Sequence, residues 1–234
     1  MKNKIGKIKL PTIMINFKTY NESSGKDALE LAKISKEINL KLNKDKKHAS
    51  ISICPQTSDI HSCAQTKVPT LAQHVNIELP GGHTGKTTIK ALEENGANGS
   101  LINHSENRIS FEEIAQTIAL LQEAKMTAIV CVKNVSEAKK IAMLNPDAIA
   151  IEPPKLIGGD ISVTTADPAI IKKSVEAVHK INPEIPVLCG AGVKTGKDVE
   201  EAIKLGASGV LIASGVTKAK NKKKAIENLI KGIK

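Results

Sequence analysis

Aromatic side chains are nearly absent: the 234 residues include no Trp, one Tyr and two Phe. A core of any size must then be built from Ile, Leu, Val and Ala. The stacking platforms that single-strand nucleic-acid binders interleave with their positive charge are missing as well. Cysteine is scarce. Cys54, Cys63, Cys131 and Cys189 show neither C-x-x-C spacing nor a disulfide framework, and three of them end apolar runs, where cysteine behaves as a small apolar residue. Cys54, His61 and Cys63 lie close in sequence, but a metal site needs a fourth ligand and none is at hand, so no metal is expected. No apolar run approaches the roughly 20 residues that cross a bilayer. The opening MKNKIGKIKLPTIMIN is interrupted by Lys7, Lys9 and Pro11 and does not read as a signal peptide. No membrane association is expected, and the expected location is cytoplasmic. The N-x-S matches at Asn21, Asn98 and Asn134 then carry no information.

Charge is present in excess of one sign. Against 34 Lys and Arg stand 24 Asp and Glu, a formal net charge of +10. Such a balance draws nucleic acid or steers a small anionic metabolite. The lysines are spread over helical faces, with short clusters at Lys44–Lys47 and Lys222–Lys224. Without aromatics among them, solvated helix faces explain the charge better, and no nucleic-acid partner is expected.

Short β-rich apolar runs alternate with amphipathic stretches, the signature of repeated β-α units on a parallel sheet. Candidate strands are Thr12–Phe17, Ala49–Cys54, Thr70–Gln73, Ser100–Ile102, Thr127–Val132, Ala148–Ile151, Val187–Cys189 and Gly209–Ile212. Most are apolar on both faces, as strands covered by helices must be. Helix starts are signalled by Ser24 with Asp27, by Ser110 with Glu113, by Asp167 before Pro168, by Thr195 with Asp198 and by Asn221. Eight strand–helix pairs in a chain of this length suggest one closed (β/α)8 barrel over residues 1–234, near the short end for that fold. Periodicity alone leaves an open doubly wound sheet in play, since counting strands does not prove closure.

The polar clusters all follow strands, the face of such a barrel where active sites form. Asn16 and Lys18 are two apart and point to one side of their strand; an N-x-K pair alone is a weak signal. His104, within Asn103-His104-Ser105-Glu106-Asn107-Arg108, fits a satisfied buried residue, a metal ligand or an acid/base group, and no second ligand lies near it. Glu106 could pair with Lys18. Glu152 precedes two prolines, an apolar Leu156-Ile157 tip and the glycines Gly158 and Gly159. That order reads as a hinged flap or as an ordinary surface turn. A flap closing over the mouth would exclude water and raise the basicity of Glu152. Small residues at Gly190-Ala191-Gly192 and Ala213-Ser214-Gly215 expose backbone N–H groups where barrels commonly hold phosphate.

The segments INFKTY, INHSENR, IEPPKLIG and CGAGVKTGKDV…LGASGVLIASGVTKAK, in this order, resemble the archaeal triosephosphate isomerases. Gln73-His74 and Gly81-Gly82-His83-Thr84-Gly85 resemble the third strand and third loop of that family, and the similarity runs over nearly the whole chain. The resemblance implies a TIM barrel that interconverts glyceraldehyde 3-phosphate and dihydroxyacetone phosphate without cofactor or metal. It implies Glu152 as the base, a neutral His104 beside a helix N-terminus as the hydrogen-bond donor, Lys18 as the stabilising cation and Asn16 as a substrate contact. Ser105 and Glu106 fall at supporting positions, and Phe17, Ile157, Gly158, Gly192, Ala213 and Ser214 at the substrate and its phosphate. A homo-oligomer is implied too, a tetramer ahead of a dimer, with loop Gly81–Gly85 reaching into a neighbouring subunit. One departure stands out: Asp160 occupies a position where these relatives read glycine, which bears on the flap hinge and its closure. Rival readings are a phosphosugar epimerase or aldolase, which would need a metal cluster or a Schiff-base lysine, and a non-catalytic barrel that binds anions or RNA.

Overall fold

A computed structural model of the chain describes residues 4–154 and 162–233. Seven parallel strands form the wall in the order β4-β3-β9-β8-β7-β6-β5. They are β3 (Thr12–Asn16), β4 (Ser50–Cys54), β5 (Gly99–Ile102), β6 (Thr127–Val132), β7 (Ala148–Ile151), β8 (Val187–Gly190) and β9 (Gly209–Ile212). The gap between β4 and β5 is bridged by the third expected strand, in reduced form. Thr70 pairs with Ile53 and Ala72 with Ser100, each as a single parallel bridge. A one-residue overlap on each side is enough to carry the sheet round, and the wall is a closed (β/α)8 barrel rather than an open sheet.

Alternation along each strand sorts the apolar residues into two sets. Met14, Cys54, Leu101, Ile129, Cys131, Ala148 and Leu211 face inward in one buried cluster. Ile13, Ile15, Ile53, Val130, Ile149, Ile151 and Val187 face the helices in the other. Aliphatic and sulfur side chains fill both apart from Phe17 in the outer one, as the shortage of aromatics requires.

The inner cluster also takes in Ile5, Ile8 and Leu10, from a feature the sequence reading passes over. Residues ahead of the barrel form a hairpin of β1 (Lys4–Ile5) and β2 (Ile8–Lys9), in antiparallel register with Ile5 opposite Ile8. Its two-residue turn starts at Gly6, whose φ of 52° is the left-handed backbone that such a turn asks of its first residue. The Ser50 hydroxyl donates to the Lys9 carbonyl at 2.7 Å and ties the hairpin to the foot of β4. The apolar side chains on either side of the turn thus stop the N-terminal end of the barrel, leaving the C-terminal end for the polar residues.

Around the wall run α1 (Lys26–Lys44), α2 (Ile60–Ala64), α3 (Ile89–Glu94), α4 (Phe111–Glu123), α5 (Val135–Ala142), α6 (Val163–Ala166), α7 (Pro168–His179), α8 (Gly196–Lys204), α9 (Ser214–Thr217) and α10 (Lys222–Ile230). Ser110 with Glu113 and Thr195 with Asp198 form full capping boxes. Asp167 caps α7 ahead of Pro168, and Asn221 caps α10. Ser24 does not cap α1. Its hydroxyl donates to the Tyr20 carbonyl instead, and the N-cap position falls to Gly25, whose N–H donates to Asp59 at 3.0 Å. A carboxylate from the next β-α unit replaces the local hydroxyl, which sequence spacing cannot show.

Ile8 is fully buried in the floor. Ile8→Ala is expected to destabilise the protein by about 2–5 kcal/mol, the usual cost of a large-to-small change in a tight core. Its urea midpoint should fall while turnover per folded molecule stays close to that of the parent. An unchanged midpoint would show that the hairpin does not act as the floor.

Candidate active site

Asn16, Lys18, His104 and Glu152 line one cavity at the C-terminal end of the barrel, together with Tyr20, Ala191–Lys194 and Leu211–Gly215. Each reaches it for a local reason. Asn16 ends β3 facing inward, and its Oδ1 accepts the Lys18 N–H at 3.0 Å. That bond holds Lys18 in a left-handed conformation, φ 48°, which an unsupported lysine rarely adopts. The Asn16 oxygen is thereby used, and its amide N–H groups remain to face a ligand. Lys18 Nζ lies 2.6 Å from Glu106 Oε1. The lysine side chain is 12% exposed and the glutamate side chain 56%, so the ammonium sits on the cavity side and the carboxylate on the solvent side of the pair.

His104 follows β5 and is buried. Its Nδ1 accepts the Glu106 backbone N–H at 3.2 Å. A ring nitrogen that accepts carries no proton, so the imidazole proton belongs on Nε2, the nitrogen that faces the cavity. The expected helix N-terminus is absent at this point. Residues after His104 make a single turn, with the Asn107 N–H on the His104 carbonyl at 2.8 Å, and α4 begins only at Phe111. One backbone N–H within that turn fixes the tautomer, a shorter device than a helix end. Asn103, at φ 61°, supports it from below: its amide donates to the Cys131 carbonyl and its oxygen accepts the Ile109 N–H.

Glu152 continues β7 by one residue, its N–H donating to the Val132 carbonyl at 2.8 Å. The residue is 5% exposed. His104 Nε2 stands 3.4 Å from Glu152 Oε2, too poorly aligned for a hydrogen bond, and that oxygen has no hydrogen-bond partner among the described residues. A buried carboxylate oxygen without a hydrogen bond is costly, and Glu152 lines the cavity. Gly190 makes the room: a Cβ there would lie 2.5 Å from Glu152 Cγ. The charge of Glu152 reaches the thiols below it. Burial first, then the nearby carboxylate, pushes the pKa of Cys54, Cys131 and Cys189 up, so all three stay neutral.

Other expected site residues fall differently. Gly192 (φ 72°), Ala213 and Ser214 line the cavity. The Ser105 hydroxyl is buried and without a hydrogen-bond partner among the described residues. Phe17, expected at the substrate, points away. Sitting between Asn16 and Lys18, it faces the helices and is fully buried in the outer cluster, its N–H on the Cys54 carbonyl and its own carbonyl on the Ser23 hydroxyl. Ile157 and Gly158 lie outside the described residues, as does Asp160. Gln73, to which the sequence assigns no role, has one in the structure: its amide donates to the carbonyls of Lys18 and Cys54, both at 3.0 Å. An amide at the end of a candidate strand is the sequence signal that was available. Among the described residues no group of three or more His, Cys, Asp or Glu is arranged to hold a metal ion.

Comparison with known proteins places this architecture. A family model described as triosephosphate isomerase matches residues 11–231. The triosephosphate isomerase of Methanothermus fervidus is 43% identical over 221 residues, covering 94% of this chain and 97% of the relative. That of Methanobrevibacter smithii is 45% identical with the same coverage, and that of Methanocaldococcus jannaschii is 43% identical, covering 94% and 99%. The solved structure of triosephosphate isomerase from Bartonella henselae superposes with a TM-score of 0.70 over 94% of this chain and 98% of that one. At 19% identity it speaks for the barrel alone.

Gly190→Ala tests the steric argument. The added methyl must displace the Glu152 side chain, and a shift of about 1 Å in a reacting group can cost on the order of 10²-fold in turnover. We expect a loss of about 10- to 100-fold in kcat with the thermal midpoint near that of the parent. Parental turnover would mean that Gly190 does not set the carboxylate.

Proposed function

The chain belongs to the triosephosphate isomerase family, and from that premise we propose how its residues divide the work of the reaction. The protein is an isomerase that interconverts D-glyceraldehyde 3-phosphate and dihydroxyacetone phosphate by proton transfer through an enediolate. The observation that carries the assignment of roles is the buried Glu152 carboxylate, one oxygen unfilled, within 3.4 Å of the His104 nitrogen that bears a proton. A base and a donor side by side at one cavity are what a proton shift between adjacent carbons requires.

Glu152 takes the proton from the carbon next to the carbonyl and returns it to the neighbouring carbon. As the base removes that proton, negative charge builds on the substrate oxygens. His104 Nε2–H donates to them in turn, and because Nδ1 is occupied as an acceptor the ring acts as a neutral donor. Lys18 supplies the fixed positive charge, and a donor set in place before reaction stabilises developing charge without reorganising. Asn16 gives its amide hydrogens to a substrate oxygen. Glu106 is a positioning residue that acts through both neighbours, its carboxylate on Lys18 and its N–H on His104. The phosphate, remote from the reacting carbons, rests on the backbone of Gly192, Ala213 and Ser214, joined by Ile157 and Gly158 of the segment that follows Glu152. Ser105, next to His104 in sequence, falls at a supporting position. No step calls for a metal or an organic cofactor. The reaction belongs to triose interconversion in glycolysis and gluconeogenesis, and a cytoplasmic location is part of the proposal. Among the described residues no helix is long and apolar enough to cross a membrane.

An assembly of identical chains completes the reading, a tetramer ahead of a dimer. Loop Gly81–Gly85 projects from the body, with Leu79 69% exposed just before it. Its neck is held by Asn76 and Thr87, which exchange hydrogen bonds at 2.9 Å. Gln73, three residues before Asn76, grips the Lys18 carbonyl. A neighbour closing on the loop would therefore steady Lys18.

Glu152→Gln removes the base and leaves the shape. It is expected to lower kcat by at least about 10²- to 10⁴-fold in a coupled assay of triose phosphate conversion, and near-parental turnover would refute the assignment. In sizing chromatography the active protein should elute as an oligomer; full activity in a monomer-sized peak would remove the loop's role.

A further inference from the structure

The single tyrosine of the chain, Tyr20, lines the reaction cavity two residues after Lys18, and the division of roles above gives it no task. Its backbone is held locally. The Tyr20 carbonyl accepts the Ser23 N–H and the Ser24 hydroxyl, both at 3.0 Å. Its ring is held from another segment. Lys218 Nζ stands 4.3 Å from the ring centroid, inside the roughly 6 Å over which a cation is drawn to an aromatic face.

Lys218 follows α9, and its N–H donates to the Ser214 carbonyl at 3.2 Å; Ser214 lines the stretch assigned to the phosphate. The strands that lead into the two segments, β3 and β9, are neighbours in the wall, and the last pair of their ladder is Ile15 with Ile212. Above that pair the cation on the ring joins the segment carrying Lys18 to the segment carrying Ser214. Lys222 ties the same two segments further out, on the Glu22 carbonyl, but Tyr20 is the member of these ties that reaches the cavity.

The joint matters because of what each segment carries. Lys18 sits in a left-handed conformation, φ 48°, which persists only where its surroundings hold it. Asn16 grips the near end of that turn, and Tyr20 is its far end. The substrate is anchored through its phosphate on one segment, while the ammonium that meets its developing charge comes from the other. Their spacing follows from how the two segments sit against each other.

We propose that Tyr20 is a positioning residue for the isomerisation, its ring clasped by Lys218 so that the turn bearing Lys18 is fixed against the segment bearing the phosphate. The proposal rests on the triose phosphate reading above. Charge grows on the substrate oxygens only as the proton leaves, so a loosened Lys18 forfeits stabilisation of the transition state more than of the bound substrate. The loss then falls on kcat. The phosphate keeps its backbone donors and its affinity.

Tyr20→Leu, Lys218→Met, the double variant, Lys218→Arg and Lys220→Met test this in the full-length protein. Lys220 is an exposed lysine two residues beyond Lys218 and controls for loss of positive charge in general. Tyr20→Leu and Lys218→Met should each lower kcat about 2- to 5-fold, the span of a cation–π contact at an exposed site, with Kd for inorganic phosphate by calorimetry unchanged. The double variant should lose no more than Tyr20→Leu alone, since both changes remove one contact. Lys218→Arg should restore kcat, because a guanidinium also stacks on an aromatic face, and Lys220→Met should leave it unaltered. With one tyrosine and no tryptophan in the chain, fluorescence anisotropy reports on the Tyr20 ring alone and should fall in Lys218→Met. Losses that multiply in the double variant would overturn the proposal, as would parental kcat in Lys218→Met or a weakened phosphate affinity in place of the loss in kcat. A parent protein without isomerase activity would instead overturn the reading of the site, and the anisotropy would still decide whether Lys218 holds the ring.

Discussion

A carboxylate at the end of β7, buried yet left with an unfilled oxygen, is the constraint around which the structure is organised. Glu152 is 5% exposed, and no group among the described residues donates a hydrogen bond to its Oε2. Such a group survives only where the surroundings fix it from several sides. Here the backbone of β6 holds its N–H, the missing side chain of Gly190 leaves its space, and His104 faces it without quite bonding.

The closed wall explains why these groups meet. Alternation sends every second side chain inward, and the floor hairpin blocks one end with Ile5 and Ile8. Polar residues that end strands on the inward phase have only the opposite mouth to occupy. Small and neutral side chains of the inner cluster lie near Glu152. Burial and Glu152 together keep the thiols of Cys54 and Cys131 protonated, so they fill space beneath a negative charge without adding a second one. A larger polar group there would need a partner that the layer does not offer.

Much of this was legible because it is local. Seven of the eight candidate strands appear as named strands, and four of the five helix starts are capped by the residues that signal them. The exceptions are decided by contacts between distant segments. Ser24 has the right spacing for a cap, but Asp59 reaches the first turn from the neighbouring unit. Thr70–Gln73 has strand composition, but its register gives it one bridge on each side. The hairpin is short and rich in lysine, and only the barrel above shows that its two isoleucines have somewhere to go. Phe17 sits between two site residues in sequence, and strand alternation turns it away from them. The polar mouth was readable as a set of residue types; which nitrogen of His104 faces it was not, because that depends on a single backbone N–H two residues on.

The same contacts link the base to the surface loop. Gln73 holds the Lys18 carbonyl, Lys18 Nζ holds Glu106, the Glu106 N–H holds His104, and His104 Nε2 faces Glu152. At the outer end, Asn76 joins the neck of the Gly81–Gly85 loop and meets His74 at 3.2 Å. Burial and Lys86 keep the His74 imidazole below its ordinary range, so it remains an uncharged partner there. Each link is a side chain gripping the backbone or side chain of the next, and Lys18 is the strained member, held at a positive φ by Asn16. Strain of this kind persists only while its neighbours are rigid. A loop left loose in solvent would pass its freedom inward along this chain and blur the distance between donor and base. In a cavity where two groups stand 3.4 Å apart, the rigidity of that loop is part of what sets the geometry.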